Sequence, residues 1–278
     1  MSHAATPPER TDLRDHLASP RRLLAAVAAF ACTAYYMYVA TVGTFAPQLD
    51  RSLFIFFGVV LAILLKPLGT KRWAVAVDAA IVVAVAVATW RFNANYMTFA
   101  RNAGFPIGDL DMAMGWIMIL ACLEAARRAL GPLMASLGVV FLLFLYAGPL
   151  VPQPFQHVGF DLRTIATAMY GGTDGLYGGI TYVLASNMFL FLVFGAFLMR
   201  AGASAFFTDL CLALMGRHAG GGAKAAVGSS CLTASINGSA AANVAITGSL
   251  TIPMMTRQGY RPHVAAGIEA AASTGGTV

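Results

Sequence analysis

Charge is the first thing this sequence is short of. Of its 278 residues, 11% are Asp, Glu, Lys or Arg and 58% are hydrophobic. Soluble domains carry about 25% charged residues, so an ordinary water-soluble globule is excluded. Cysteine is equally scarce. Cys32, Cys122, Cys211 and Cys231 stand in apolar or small-residue stretches and form no CxxC pair. That spacing supports neither a disulfide framework nor a zinc site, and it leaves free thiols packed as small hydrophobes. Enzyme signatures are missing too. There is no HExxH, and the glycine-rich stretch 216–224, GRHAGGGAK, is followed by Ala and fails the Walker A spacing. His157, His218 and His263 fall in predicted loops with no second ligand at a metal spacing. No nucleophile–base pair is legible, so no enzyme activity and no transition-metal site are expected. The formal net charge is +6. Its basic residues do not gather on one face or tail, which argues against nucleic acid as a partner.

Long apolar runs are abundant. They cover 21–43, 53–68, 73–90, 112–130, 133–151 and 180–199. A bilayer core takes about 20 apolar residues per helix, and backbone polar groups in lipid must be paired within a helix or a closed barrel. The length of these runs and their lack of strict alternation favour helices. The expected fold class is therefore an all-α integral membrane protein with about six transmembrane helices. Residues 1–20 are polar, with Pro7, Pro8, Glu9, Asp12 and Asp15, and read as a short cytoplasmic tail rather than a signal peptide. Residues 21–131 read as four helices, punctuated at Gly131–Pro132. Residues 153–179 are polar and glycine-rich, with one short amphipathic helix around Phe160 to Met169 expected at the interface. Residues 203–217 are amphipathic and read as either a core helix or a second interfacial one, with the interfacial reading favoured.

Basic residues fix the orientation. With the N-terminus cytoplasmic, the inner segments hold twelve: Arg10, Arg14, Arg21, Arg22, Lys66, Lys71, Arg72, Arg127, Arg128, Arg200, Arg217 and Lys224. The outer segments hold four: Arg51, Arg91, Arg101 and Arg163. The positive-inside rule gives a multi-pass protein with its N-terminus inside. Asp78 near Lys71 and Arg72 reads as an interfacial ion pair rather than a proton site. Glu124 precedes Arg127 and Arg128 by three and four positions, the spacing of a helix-end pair. Glu269, inside an Ala-rich helix, has no such ready explanation.

Residues 223–253 read AKAAVGSSCLTASINGSAAANVAITGSLTIP. The stretch is apolar enough for lipid but is dominated by Ala, Gly, Ser, Thr and Asn. Two readings are available: a crossing helix packed tightly through small residues, or a re-entrant hairpin whose short helices break near Asn237, Gly238 and Ser239. The hairpin places Arg257 and Arg261 inside and raises the inner count to fourteen against four, which favours it. A further helix begins at Pro262 and is interrupted at Thr274, Gly275 and Gly276, the start of a broken helix. Helix breaks rich in oxygen suit Na⁺, which unwound carbonyls and half-helix ends coordinate. Ser235, Asn237, Gly238, Ser239, Asn243, Thr274, Gly275 and Gly276 are thus the candidate ion or substrate ligands. The Asn237–Gly238–Ser239 sequon, set in an apolar segment, is not expected to carry a glycan. A non-transporting membrane scaffold is the alternative, although a scaffold has no use for broken helices.

Residues 180–278 resemble the large membrane subunit of TRAP (tripartite ATP-independent periplasmic) transporters. The resemblance runs through FLFLVFGAFLMRAG, the stretch SINGSAAANVAITGSLTIP and EAAASTGG. Helix count over 21–151 is similar to the fused form, in which a four-helix small subunit precedes the large one. The resemblance implies residues 132–278 as the N-terminal half of the large subunit, with the re-entrant hairpin at about 223–253. It implies an elevator-type, Na⁺-coupled permease of the bacterial inner membrane that uses no cofactor beyond the coupling ion. A periplasmic substrate-binding protein would deliver an organic anion such as a carboxylate. The family's Ser-x-x-Gly-Ser-like hairpin tip is matched by Ser235 to Ser239, with Asn237 standing where many members have Ser or Gly. Its broken helix is matched by Thr274, Gly275 and Gly276. The family carries a second inverted repeat beyond the position of Val278, so the chain corresponds to a truncated form and is not expected to transport alone.

Overall fold

The computed structural model describes residues 20–43, 46–69, 71–101, 108–172, 175–237 and 240–276. Every regular element among them is helical. The helices are α1 (Pro20–Val42), α2 (Pro47–Leu65), α3 (Arg72–Arg101), α4 (Asp109–Leu130), α5 (Pro132–Tyr146), α6 (Leu162–Tyr170), α7 (Gly179–Val183), α8 (Phe189–Arg200), α9 (Ala203–Met215), α10 (Gly221–Asn237), α11 (Ala240–Arg257) and α12 (Pro262–Gly275). A π turn, Leu184–Met188, joins α7 to α8, making one apolar helix of 22 residues. That helix and α1, α2 and α3 are long and apolar enough to cross a membrane. The protein is a multi-pass, all-α membrane protein. The chain divides into two compact units, 1–186 and 187–278.

In the first unit, α1, α2, α3 and α4 pack in sequence, with α5 and α6 against α4. Its core is built from large side chains. Val59, Ile63, Val85, Phe92, Phe99, Met118, Tyr170 and Tyr177 are buried in one cluster. The Phe92 ring lies 4.3 Å from Tyr177, 5.6 Å from Tyr170 and 5.8 Å from Phe99, centroid to centroid. The Tyr170 hydroxyl reaches across to donate to the Ala88 carbonyl at 2.7 Å. Helix α6 starts at Asp161, whose side chain accepts from the Thr164 N–H; that hydrogen bonding holds the Asp161 carboxyl below its usual range. Its apolar face, Ile165, Ala166 and Tyr170, is buried in protein rather than lipid. Gly115 on α4 makes this possible, since a Cβ there would come within 2.9 Å of the Ala166 carbonyl oxygen. The interfacial helix expected around Phe160 to Met169 thus exists, but α4 covers its amphipathic face.

Charges in the first unit sit at the two ends of the bundle. At one end Arg91 pairs with Asp111 at 2.6 Å, Arg163 pairs with Asp109, and Tyr35 donates to Asp50 at 2.6 Å. At the other, Glu124 binds both Arg127 and Arg128, as its spacing predicts. Asp78 is an ion-pair partner, although not of the neighbouring Lys71 or Arg72. Arg128 from α4 reaches it at 2.7 Å and Arg21 from α1 at 3.8 Å. A helix–helix contact set this pairing, and sequence proximity could not reveal it. Gly131 (φ +98°) turns the chain sharply and Pro132 opens α5; only glycine adopts that backbone at little cost. The Gly131–Pro132 punctuation is therefore a helix break, and the division into compact units falls later.

In the second unit, α8 and α9 pack on α10, and α10, α11 and α12 pack on one another. Helices α10 and α11 form an antiparallel hairpin. Between its arms Asn243 hydrogen-bonds Ser230, and at its base Gly216, His218, Gly220, Gln258 and Tyr260 line one shared cavity of about 430 Å³. Arms of 17 and 18 residues rise about 26 Å at 1.5 Å per residue, close to the hydrocarbon thickness of about 30 Å. Pro253 lies inside α11, where its missing N–H removes one intrahelical bond. Helix α9 lays Ser204, Thr208 and Cys211 against its neighbours and leaves Phe206 and Leu214 exposed.

Candidate functional site

Small residues let α10, α11 and α12 approach closely. Ala225, Ala226, Ala234 and Ala265 are fully buried between them. A Cβ on Gly248 would meet the Glu269 side chain at 3.3 Å, and one on Gly276 would lie 2.7 Å from Cys231 Cα. Close backbones leave little room for large aliphatic groups, so the interior is filled by short polar ones. Ser230 from α10, Asn243, Thr247 and Thr251 from α11, and Glu269 and Ser273 from α12 all have 0% exposure.

These six form one network. Glu269 Oε1 accepts from Ser230 Oγ at 2.9 Å, from Ser273 Oγ at 3.2 Å and from Thr247 Oγ1. Its Oε2 accepts from Thr251 Oγ1 at 2.6 Å. Asn243 Nδ2 donates to the Ser230 carbonyl and hydroxyl, each at 2.9 Å, and to Ser273 Oγ at 3.0 Å. The arrangement follows from periodicity. Asn243, Thr247 and Thr251 recur every four residues on one face of α11, and Glu269 and Ser273 do the same on α12. The carboxyl is thus ringed by hydroxyls, with no Lys, Arg or His bonded to it among the described residues. A buried carboxyl without a cationic partner is costly unless hydrogen bonds serve it. Here hydroxyls, which can donate or accept, take that part. Such a cluster offers buried side-chain oxygens to a hard cation.

The sequence-derived candidates divide around this core. Asn243 lies inside it. Ser235 and Thr274 are exposed, and their hydroxyls donate within their own helices to the Leu232 and Ala270 carbonyls. Asn237 ends α10, while its side chain and residues Gly238 and Ser239 lie outside the described residues. Gly275 ends α12 and Gly276 caps it. The contact of Gly276 with Cys231 and Ala234 places the end of α12 beside the last two turns of α10. The polar core begins one to three turns below the hairpin tip, roughly 5–15 Å at helical rise. Ser230, Thr247, Thr251 and Ser273 escaped sequence reading, because Ser and Thr among alanines look like packing residues. The four-residue spacing of Asn243, Thr247 and Thr251 was the available signal.

Residues 117–278 match the family described as "Tripartite ATP-independent periplasmic transporter, DctM component". The chain belongs to the DctM family. A curated relative, the isethionate TRAP transporter permease protein DctMQ of Oleidesulfovibrio alaskensis, is 31% identical over 180 residues, covering 62% of this chain. The chain spans about a quarter of that relative's length, with 27% of it matched. No solved structure matches the chain significantly. The DctM match contains the hairpin, α12 and all six residues of the network. It begins inside α4, so the DctM part and the second compact unit do not start at the same residue.

Proposed function

We propose that this DctM-family chain is the N-terminal membrane part of a Na⁺-coupled, binding-protein-dependent permease that imports an organic anion by an elevator motion. Residues 21–131 stand as the counterpart of the small subunit and 132–278 as the beginning of the large one. The N-terminus is cytoplasmic, the membrane is the bacterial inner membrane, and a periplasmic substrate-binding protein is the partner. The substrate is a small anion such as a carboxylate. Isethionate, named for the relative, is a sulfonate of the same charge class. No cofactor or enzyme activity is assigned.

One observation carries this reading: among the described residues three helices, two of them a hairpin, surround a fully buried carboxyl with hydroxyl groups that an asparagine amide ties together. Ionisable groups at membrane depth face pathways and binding sites, whereas a scaffold would be better served by apolar packing. Na⁺ is a hard cation that prefers oxygen. In this reading the re-entrant tip and the end of α12 supply carbonyls, with Ser239 and Thr274 as hydroxyl ligands, and Asn243 links them to the Glu269 network. The test uses the intact permease in proteoliposomes with its binding protein. Ser239→Ala and Thr274→Val keep volume and remove an oxygen, so packing survives. The expected result is a higher Na⁺ requirement for uptake. Unchanged Na⁺ dependence in both, at normal expression, refutes the site.

A further inference from the structure

The first unit carries a second polar feature that ion coupling does not use. An apolar groove of about 260 Å³ lies between α1, α2 and α3, lined by Leu24, Ile63, Leu64, Val75, Ala79 and Val83, with Arg21 and Asp78 beside them. Leu24 and Val83 are more than half exposed, so in a bilayer the groove faces acyl chains. Its polar end carries Asp78 between two guanidinium groups. Arg128 holds it at 2.7 Å and also binds Glu124 at 2.7 Å, while Arg21 has Asp78 at 3.8 Å as its carboxylate among the described residues. Nη2 of Arg21 and Nη2 of Arg128 are both buried without a hydrogen-bond partner, and the Arg128 side chain is 4% exposed. A buried guanidinium N–H left unpaired is costly. Around it, the same end of the bundle brings Lys66, Lys71, Arg72 and Arg127, with Glu124 as the further carboxylate among the described residues.

We infer that this groove is a binding site for one anionic phospholipid, with an acyl chain along Leu24, Ile63, Val75 and Val83 and the phosphate on Arg21. The apolar trough ends at Arg21, whose buried Nη2 has no acceptor, and a phosphodiester supplies one. Arginine suits phosphate through its planar fork of donors. Basic pockets between transmembrane helices on the cytoplasmic side bind anionic headgroups, and this is the end that the positive-inside count puts there. A zwitterionic lipid brings its own cation to a site already rich in positive charge. The inference rests on membrane embedding and not on Na⁺ coupling, so each can fail without the other.

The test is native mass spectrometry of the full chain in mild detergent. Phosphatidylglycerol and phosphatidylcholine with identical acyl chains are titrated separately, and inorganic phosphate serves as a competitor. The wild-type chain should retain one phosphatidylglycerol about fivefold more tightly than phosphatidylcholine. Arg21→Gln should abolish that preference and keep weak binding of both lipids. Ala79→Trp, at an exposed position in the groove, should abolish retention of both. Arg72→Gln, at an exposed position on the same end but outside the groove, should leave the preference intact. Equal retention of the two lipids by the wild type would overturn the inference, and that measurement needs no variant. Full displacement of phosphatidylglycerol by inorganic phosphate would overturn it too, since the groove would then contribute nothing.

Discussion

The two units of this chain solve the same packing problem with opposite materials. The first buries Phe92, Phe99, Met118, Tyr170 and Tyr177 and keeps its ion pairs at the bundle ends. The second buries mostly alanines, serines and threonines, with an asparagine, a glutamate and Met255, and sets the Glu269 carboxyl between three helices. In lipid no hydrophobic force separates helix from solvent, so helices associate by close packing and hydrogen bonds. Large aromatics satisfy this by filling space. Small polar residues satisfy it by letting backbones touch and by bonding across the gap. The second solution leaves an interior lined by side-chain oxygens, which the proposed ion site uses, while the first leaves one filled by rings.

The contrast can be broken by substitution. The largest effect is expected in the first unit, where Phe92→Ala opens a cavity among four aromatic neighbours and should cost about 3–5 kcal/mol in thermal unfolding of the chain in micelles. In the second unit Glu269→Leu conserves volume but strands the hydroxyls of Ser230, Thr247, Thr251 and Ser273. A cost of about 2–4 kcal/mol is expected, moderated because the Thr247 and Thr251 hydroxyls can turn to carbonyls of their own helix that lie 2.8 and 3.0 Å away. Glu269→Gln keeps an acceptor for Oε1's partners, and Thr251 can accept from the new amide, so less than about 1 kcal/mol is expected. If Glu269→Leu proves as mild as Glu269→Gln, the second unit is held by packing alone and the contrast between the units fails.

The spanning runs were legible because hydropathy is a local property. The 73–90 run grows to Arg72–Arg101 in the structure, since Asn93, Asn95 and Tyr96 prolong the helix beyond the apolar stretch. The 133–151 run shortens to Pro132–Tyr146 and finishes in a 3₁₀ turn, Gly148–Leu150. A helix boundary was legible at Asn237, where α10 ends; α11 begins at Ala240. Partners between helices were not legible. Arg128 finds Asp78 from 50 residues away, and Ser230 finds Glu269 from 39. Such pairings depend on how helices rotate about their axes, which neither composition nor spacing along one helix determines. Glu269 stood out as an unexplained charge, yet only the structure shows what surrounds it. The same limit hid the burial of α6, whose amphipathic face looks alike whether lipid or α4 receives it.

The account turns on the chain reversing at the hairpin tip, so that both arms of the polar core return to one side of the membrane. Arg217→Cys and Arg257→Cys, introduced one at a time into an otherwise cysteine-free chain in intact cells and in inverted vesicles, test this most directly. Both positions flank the cavity at the hairpin base. An impermeant maleimide should reach both from the cytoplasmic face and neither from the periplasmic face. Labelling of the two positions from opposite faces would make 223–253 a plain crossing helix and contradict the account.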